Sequence, residues 1–101
     1  KQVYMQTCFA SHQSEGQGIP NAFPPLANSN HLNADVNRAI GVVVNGLSGE
    51  ITVNGDTYNS VMTKQMISSD DVANVLTYVY NSWGNSKEVV TKEMVEKVKN
   101  Q

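Results

Sequence analysis

Residues 13–30, QSEGQGIPNAFPPLANSN, carry two glycines, three prolines and many small polar residues, with no helical or strand periodicity. A loop this long without structure of its own is uncommon in a compact domain, and in a chain of 101 residues it needs something to wrap. A domain of this size buries only a modest share of its surface. The apolar stripes elsewhere in the chain are too sparse to make that core unaided. A flat apolar ligand in the middle would give the loops a surface to pack on, with the remaining apolar residues lining its pocket.

The rest of the chain reads as short helices and one hairpin. Residues 2–10 place Val3, Tyr4 and Cys8 close to helical spacing. In NADVNRAIGVVVNG, Asn33 reads as an N-cap, with Leu32, Val36, Ile40 and Val43 or Val44 on one side and Asn45-Gly46 as the stop. GEITVNGDTY alternates Ile51 and Val53 before Asn54-Gly55, the strongest short-range hairpin signal, and returns through Thr57 and Tyr58. The clearest element follows: Ser68 caps, Asp71 stands three residues on, and Val72, Val75, Leu76, Val79 and Trp83 form a 3-4 stripe ended by Gly84. Asp70 and Asp71 suit the positive end of that helix. A last helix starts at Thr91 with Met94, Val95 and Val98 on one side, and is expected to cover an edge. No repeat or second domain appears, so residues 1–101 read as one mainly α domain of three to four short helices.

Composition narrows the function. With 40% hydrophobic and 16% charged residues the chain is not of disordered type, and no apolar run reaches the length of a membrane span. Seven basic against nine acidic residues leave no Lys/Arg stripe for nucleic acid. The lysines of KEMVEKVK alternate with acids as on a solvated helix face. One cysteine excludes an internal disulfide. The opening KQVYMQTC reads as the inside of a helix without a cap, so an upstream signal peptide or upstream enzyme domains are expected to be missing.

That cysteine begins CFASH, Cys8 to His12, one substitution from the haem-attachment signature Cys-x-x-Cys-His. Ser11 stands where the second thiol belongs, so at most one thioether, through Cys8, is possible. A histidine four residues after Cys8 shares its helical face, although alone it is also an ordinary helix-end histidine.

In their order, Tyr4, Cys8, His12, the Gly-x-Gly of residues 16–18, FPPLA at 23–27, a late methionine and DDVANVLTYVYNSWGN at 70–85 resemble a class I cytochrome c over nearly the whole chain. The hairpin before YNSVM and the ending VLTYVYNSWGN resemble most the haem c domain fused to the C-terminus of three-domain copper nitrite reductases. The resemblance implies a class I cytochrome c fold around one haem c, with the hairpin as an insertion. It implies His12 as proximal iron ligand and Met62 as distal ligand, with Met66 the competitor. The family usually has proline directly after that methionine, where this chain has Thr63 and Lys64. The carbonyl of Pro24 or Pro25 is implied as the acceptor that fixes the histidine ring, and Leu26 as packing on the haem face. Tyr4 is expected to cross Val75 and Tyr78. Tyr58 and Trp83 are expected near the haem edge or a propionate, or else as buried aromatics with one polar tip. His31, in NSNHLNAD, is expected in an exposed loop.

The function implied is electron transfer rather than catalysis: no acid, base or nucleophile is read from the chain. Its partner would be a copper nitrite reductase core, fused or separate, or a small redox protein, in the periplasm, since haem attachment in this family occurs outside the cytoplasm. Two other readings stay open. One is a haem-poor docking or structural domain that keeps the fold. The other is an open-site haem protein that binds small gases.

Overall fold

A break at Cys8 divides the N-terminal helix into α1 (Gln2–Thr7) and α2 (Phe9–His12), but the ladder runs through it, Cys8 N–H to the Tyr4 carbonyl at 2.9 Å and His12 N–H to the Cys8 carbonyl at 3.0 Å. In this computed structural model, residues 2–19, 22–59, 61–62 and 64–100 are described, with the backbone alone for Ala10 and Ser11. Thr63 and the side chain of Ser11 therefore lie outside the described residues.

The second helix differs from its sequence reading. It is two segments, α3 (Asn30–Ala34) and α4 (Val36–Asn45), and Asn33 caps neither. Ser29 caps α3, its hydroxyl accepting from Leu32 N–H at 3.1 Å, and Asp35 caps α4, accepting from Arg38 N–H at 3.1 Å. Asp35 is extended, with φ −156°, which breaks the helix. The Asn33 amide is committed elsewhere, to the Ser29 carbonyl and to Asn85 and Ser86. Each cap is worth about 1 kcal/mol.

Strands β1 (Ile51–Val53) and β2 (Asp56–Tyr58) form an antiparallel hairpin with Ile51 opposite Tyr58 and Val53 opposite Asp56. Asn54 and Gly55 turn it with φ of +52° and +88°, as a two-residue primed turn requires. Inward-facing Val53 and Tyr58 are buried.

Ser68 caps α5 (Ser69–Tyr80), accepting from Asp71 N–H at 3.1 Å, and Val72, Val75, Leu76 and Val79 are buried. The helix ends before Trp83. Asn81 closes it, donating from its amide to the carbonyls of Thr77 and Glu88, and Trp83 adopts a left-handed φ of +52°. Helix α6 (Lys92–Lys99), capped by Thr91, does more than cover an edge. It packs on α4 and α5, and Val95 is wholly buried.

Helix α5 is central, lying against α1, α4 and α6. Tyr4 meets Tyr78 at 5.6 Å between ring centroids where α1 crosses α5, and Trp83 closes a triangle at 5.2 Å from Tyr4 and 5.6 Å from Tyr78. The Tyr4 hydroxyl donates to the Gln13 carbonyl and that of Tyr80 to the Leu32 carbonyl, so these wholly buried rings keep their polar tips satisfied. The result is a mainly helical domain with one small hairpin, as the periodicity of the sequence predicts. Among the described residues no helix is long and apolar enough to cross a membrane.

Candidate functional site

The long loop does have something to wrap. A cavity of about 210 Å³ opens between the N-terminal helices, the loop, α4, the hairpin and α5. Its wall is mostly apolar: Leu32, Ala39, Val42 and Val43 from α3 and α4, Ile51, Val53 and Tyr58 from the hairpin, and Val75, Leu76 and Val79 from α5.

Into this wall the break before α2 delivers Cys8, and the end of α2 delivers His12. His12 is buried, and its Nδ1 lies 2.9 Å from the Pro24 carbonyl. A carbonyl only accepts, so Nδ1 carries the proton and Nε2 keeps its lone pair in the neutral ring. Burial lowers the His12 pKa below its ordinary 6.5, against the opposing pull of the Pro24 hydrogen bond. The neutral, ligating form is thereby favoured.

Glycine makes that hydrogen bond possible. Gly18 donates its N–H to the His12 carbonyl at 3.1 Å, and a Cβ there would run into the Phe23 and Pro24 carbonyls. Its φ of +68° also favours glycine. Gly16 accepts from Leu26 and Ala27 N–H at 2.6 and 2.9 Å, holding the returning arm of the loop. Pro24, Pro25 and Leu26 consequently face the cavity.

Cys8 is half-buried, and burial pushes its thiol up to about 11. It is protonated at neutral pH, so it waits for a reactive group rather than offering a free thiolate. Met62 lines the cavity too. Its backbone pairs with Leu47 in both directions, at 2.7 and 2.8 Å. Met66 is 85% exposed and is not in the wall.

Of the two readings open for Trp83 the structure takes the packed aromatic, and His31 is placed differently from its sequence reading. Trp83 is not part of the cavity wall; its ring lies over Gly16, where a Cβ would stand 2.5 Å from the ring. The left-handed turn after α5 sends it there. His31, expected in an exposed loop, sits on α3, half-buried in the cavity wall beside Arg38, which donates to the His31 carbonyl at 2.6 Å. Burial and the Arg38 charge both lower its pKa. Ser29 and Asp35, each three residues before the amide it caps, are the sequence signals that would have put His31 and Arg38 on neighbouring helical turns.

Both histidines therefore oppose protonation in the ligand-free fold. The unfolded chain binds these protons near pH 6.5 and the folded chain only at lower pH, so stability rises with pH across that window. Denaturant titrations of the ligand-free polypeptide are expected to show full stability above about pH 6.5 and a progressive loss below it. A flat profile between pH 7 and 5 would contradict this.

The cavity thus brings together the Cys8 thiol, the His12 imidazole with its Nε2 lone pair, the Met62 thioether, Arg38 and His31 in a mostly apolar surround. Among the described residues no cluster of three histidine, cysteine or acidic side chains could hold a bare metal ion. Comparison with known proteins bears on what such a cavity holds. The family model for cytochrome c matches residues 1–83. The chain is 38% identical over 109 residues to cytochrome c-552 of Thermus thermophilus, covering 96% of this chain and 81% of that protein. Cytochrome c-552 of Thermus thermophilus (strain ATCC 27634 / DSM 579) is likewise 38% identical over 109 residues, covering 96% of this chain and 72% of that protein. The cytochrome c subunit of the quinone alcohol dehydrogenase of Gluconobacter oxydans is 26% identical over 88 residues, 84% of this chain but 18% of that protein.

Proposed function

We propose, for a chain that belongs to the cytochrome c family, that its cavity holds one haem c by a single thioether to Cys8, with His12 and Met62 as the iron ligands. The family binds haem c, and the likeness to cytochrome c-552 supports haem-based electron transfer. The observation that carries the assignment is His12: a buried imidazole, its Nδ1 proton held by Pro24, in one cavity wall with the lone cysteine and a half-buried methionine.

The residues fit the group. The apolar wall suits a macrocycle, Nε2 and the Met62 sulfur are donors iron accepts, and Arg38 offers positive charge to the haem carboxylates, with the neutral His31 imidazole beside it. When bound, haem supplies an iron that gains or loses one electron. The chain's own residues do the rest. Pro24 keeps the His12 ring oriented and raises its donor strength, and the Leu47 pairing restrains Met62. Leu26, Val43 and Val79 keep water away, which favours the less charged reduced state. No side chain is asked to transfer a proton.

A copper nitrite reductase core, fused upstream or met in solution, is the acceptor we favour, with a small redox protein as the other, in the periplasm. The sequence from GEITVNGDTY to NSWGN supports this through its likeness to haem domains fused to such enzymes. Expressed in a bacterium competent for cytochrome maturation, the protein is expected to carry one haem per chain and to show one reversible one-electron couple. Mixed after reduction with a copper nitrite reductase and nitrite, it is expected to be reoxidised much faster than with nitrite alone. A folded, colourless preparation would defeat the haem assignment; equal rates with and without the enzyme would defeat the partner.

A further inference from the structure

We propose that Asn85, outside the cavity, is a positioning residue for His12, fixing from the turn after α5 the loop whose Pro24 carbonyl holds the imidazole. The proposal rests on the reading of His12 as iron ligand. Asn85 is buried, and its side-chain amide makes four hydrogen bonds. The amide nitrogen donates to the Leu26 carbonyl at 2.9 Å and the Val79 carbonyl at 2.8 Å. The amide oxygen accepts from Ser29 N–H at 3.3 Å and from Asn33 Nδ2 at 3.1 Å. One side chain therefore ties α5, the loop and α3 together.

Neighbouring residues of the same turn reinforce the tie. Asn28 N–H donates to the Trp83 carbonyl at 2.9 Å, Ser86 N–H donates to Asn33 Oδ1 at 3.0 Å, and the Trp83 ring lies over Gly16, whose carbonyl holds Leu26 and Ala27. The held carbonyls of Pro24 and Leu26 are separated by one residue, Pro25. Its ring locks φ and removes the N–H, leaving one soft torsion where an ordinary residue has two. A shift of Leu26 is poorly absorbed there and passes to the Pro24 carbonyl, and so to the 2.9 Å bond with His12 Nδ1. Loosening that bond makes the imidazole a weaker donor, which favours reduced iron.

Asn81 is the control. It belongs to the same turn and caps α5 with the same amide chemistry, on the carbonyls of Thr77 and Glu88, with no bond to the loop. In the haem-loaded protein, Asn85→Ala is expected to raise the reduction potential. It is also expected to speed exchange of the His12 Nδ1 proton, read by NMR in the reduced state, about five- to tenfold, the equivalent of one net hydrogen bond. Asn81→Ala is expected to lower denaturant stability and leave both readouts unmoved. Should Asn85→Ala not fold, Asn33→Ala removes one donor to Asn85, one bond to the loop at the Ser29 carbonyl and one to Ser86 in the turn after α5, and is expected to move both readouts the same way by less. Unmoved readouts in the folded variant, or equal movement in Asn81→Ala, would overturn the proposal. The iron reading fails separately: His12→Ala with an unchanged ligand spectrum would remove it, while the exchange rate still reports what Asn85 does to the ring.

Discussion

Replacing Met62 with alanine lowers the reduction potential and opens the reduced protein to carbon monoxide, whereas Met66→Ala changes neither. This is the expected result of potentiometry and carbon monoxide difference spectra on the two variants. Met62 stands in the cavity wall with its backbone paired to Leu47, so the backbone that presents its thioether has little conformational entropy left to lose. Met66 is exposed, and truncating it costs almost no packing. A soft thioether opposite imidazole raises the potential, and exchanging axial ligands spans roughly 0.8 V across haem proteins, so losing one has a large effect. If the unaltered reduced protein already binds carbon monoxide, or Met66→Ala alone opens the site, then the chain after Met62, Thr63-Lys64 where the family usually has proline, has drawn the thioether away. A simple electron-carrier role would then lose its main support, and the gas-binding reading would gain.

What was legible in the sequence is what short-range chemistry controls. Asn54-Gly55 turns a hairpin because two consecutive positive φ values suit few other pairs, and Ser68 starts α5 because its hydroxyl reaches Asp71 N–H whatever the rest of the chain does. The long loop was legible as a wrapper because its composition excludes regular structure, although its ligand came only with Cys8 and His12. Misplaced residues are those whose partners are remote. Asn33 reads as a cap until Asn85 and Ser86, more than fifty positions away, claim its amide. Trp83 continues the α5 stripe by spacing, yet the helix ends at Tyr80 because Asn81 turns back on Thr77 and Glu88, and the indole is more fully covered against Tyr4, Tyr78 and Gly16. His31 looked like a loop residue because its surround is polar in sequence; its apolar neighbours, Leu32 aside, come from other segments of the cavity wall.

Cys8→Ala is expected to convert a covalent haem protein into one that loses its haem completely to acidified acetone. Attachment adds a thiol across a haem vinyl group: the sulfur bonds one carbon, the hydrogen goes to the other, and no oxidant is needed. Cys8 lies in the cavity wall, where such a group would meet it, and a serine hydroxyl is too weak a nucleophile to take its place at residue 11. The unaltered chain should therefore keep its haem through extraction, with an intact mass one haem above the polypeptide. Its pyridine haemochrome should absorb at longer wavelength than that of a doubly attached haem, because one vinyl stays conjugated. Ser11→Cys should shift that band to shorter wavelength without adding a second haem. If extraction strips the unaltered protein, His12, Met62 and the apolar wall alone retain the group, and Ser11 then marks a chain that has moved from covalent to exchangeable haem. If the unaltered and Ser11→Cys proteins give the same short-wavelength band, a second bond forms by a route that needs no thiol at residue 11, and the single-thioether assignment falls.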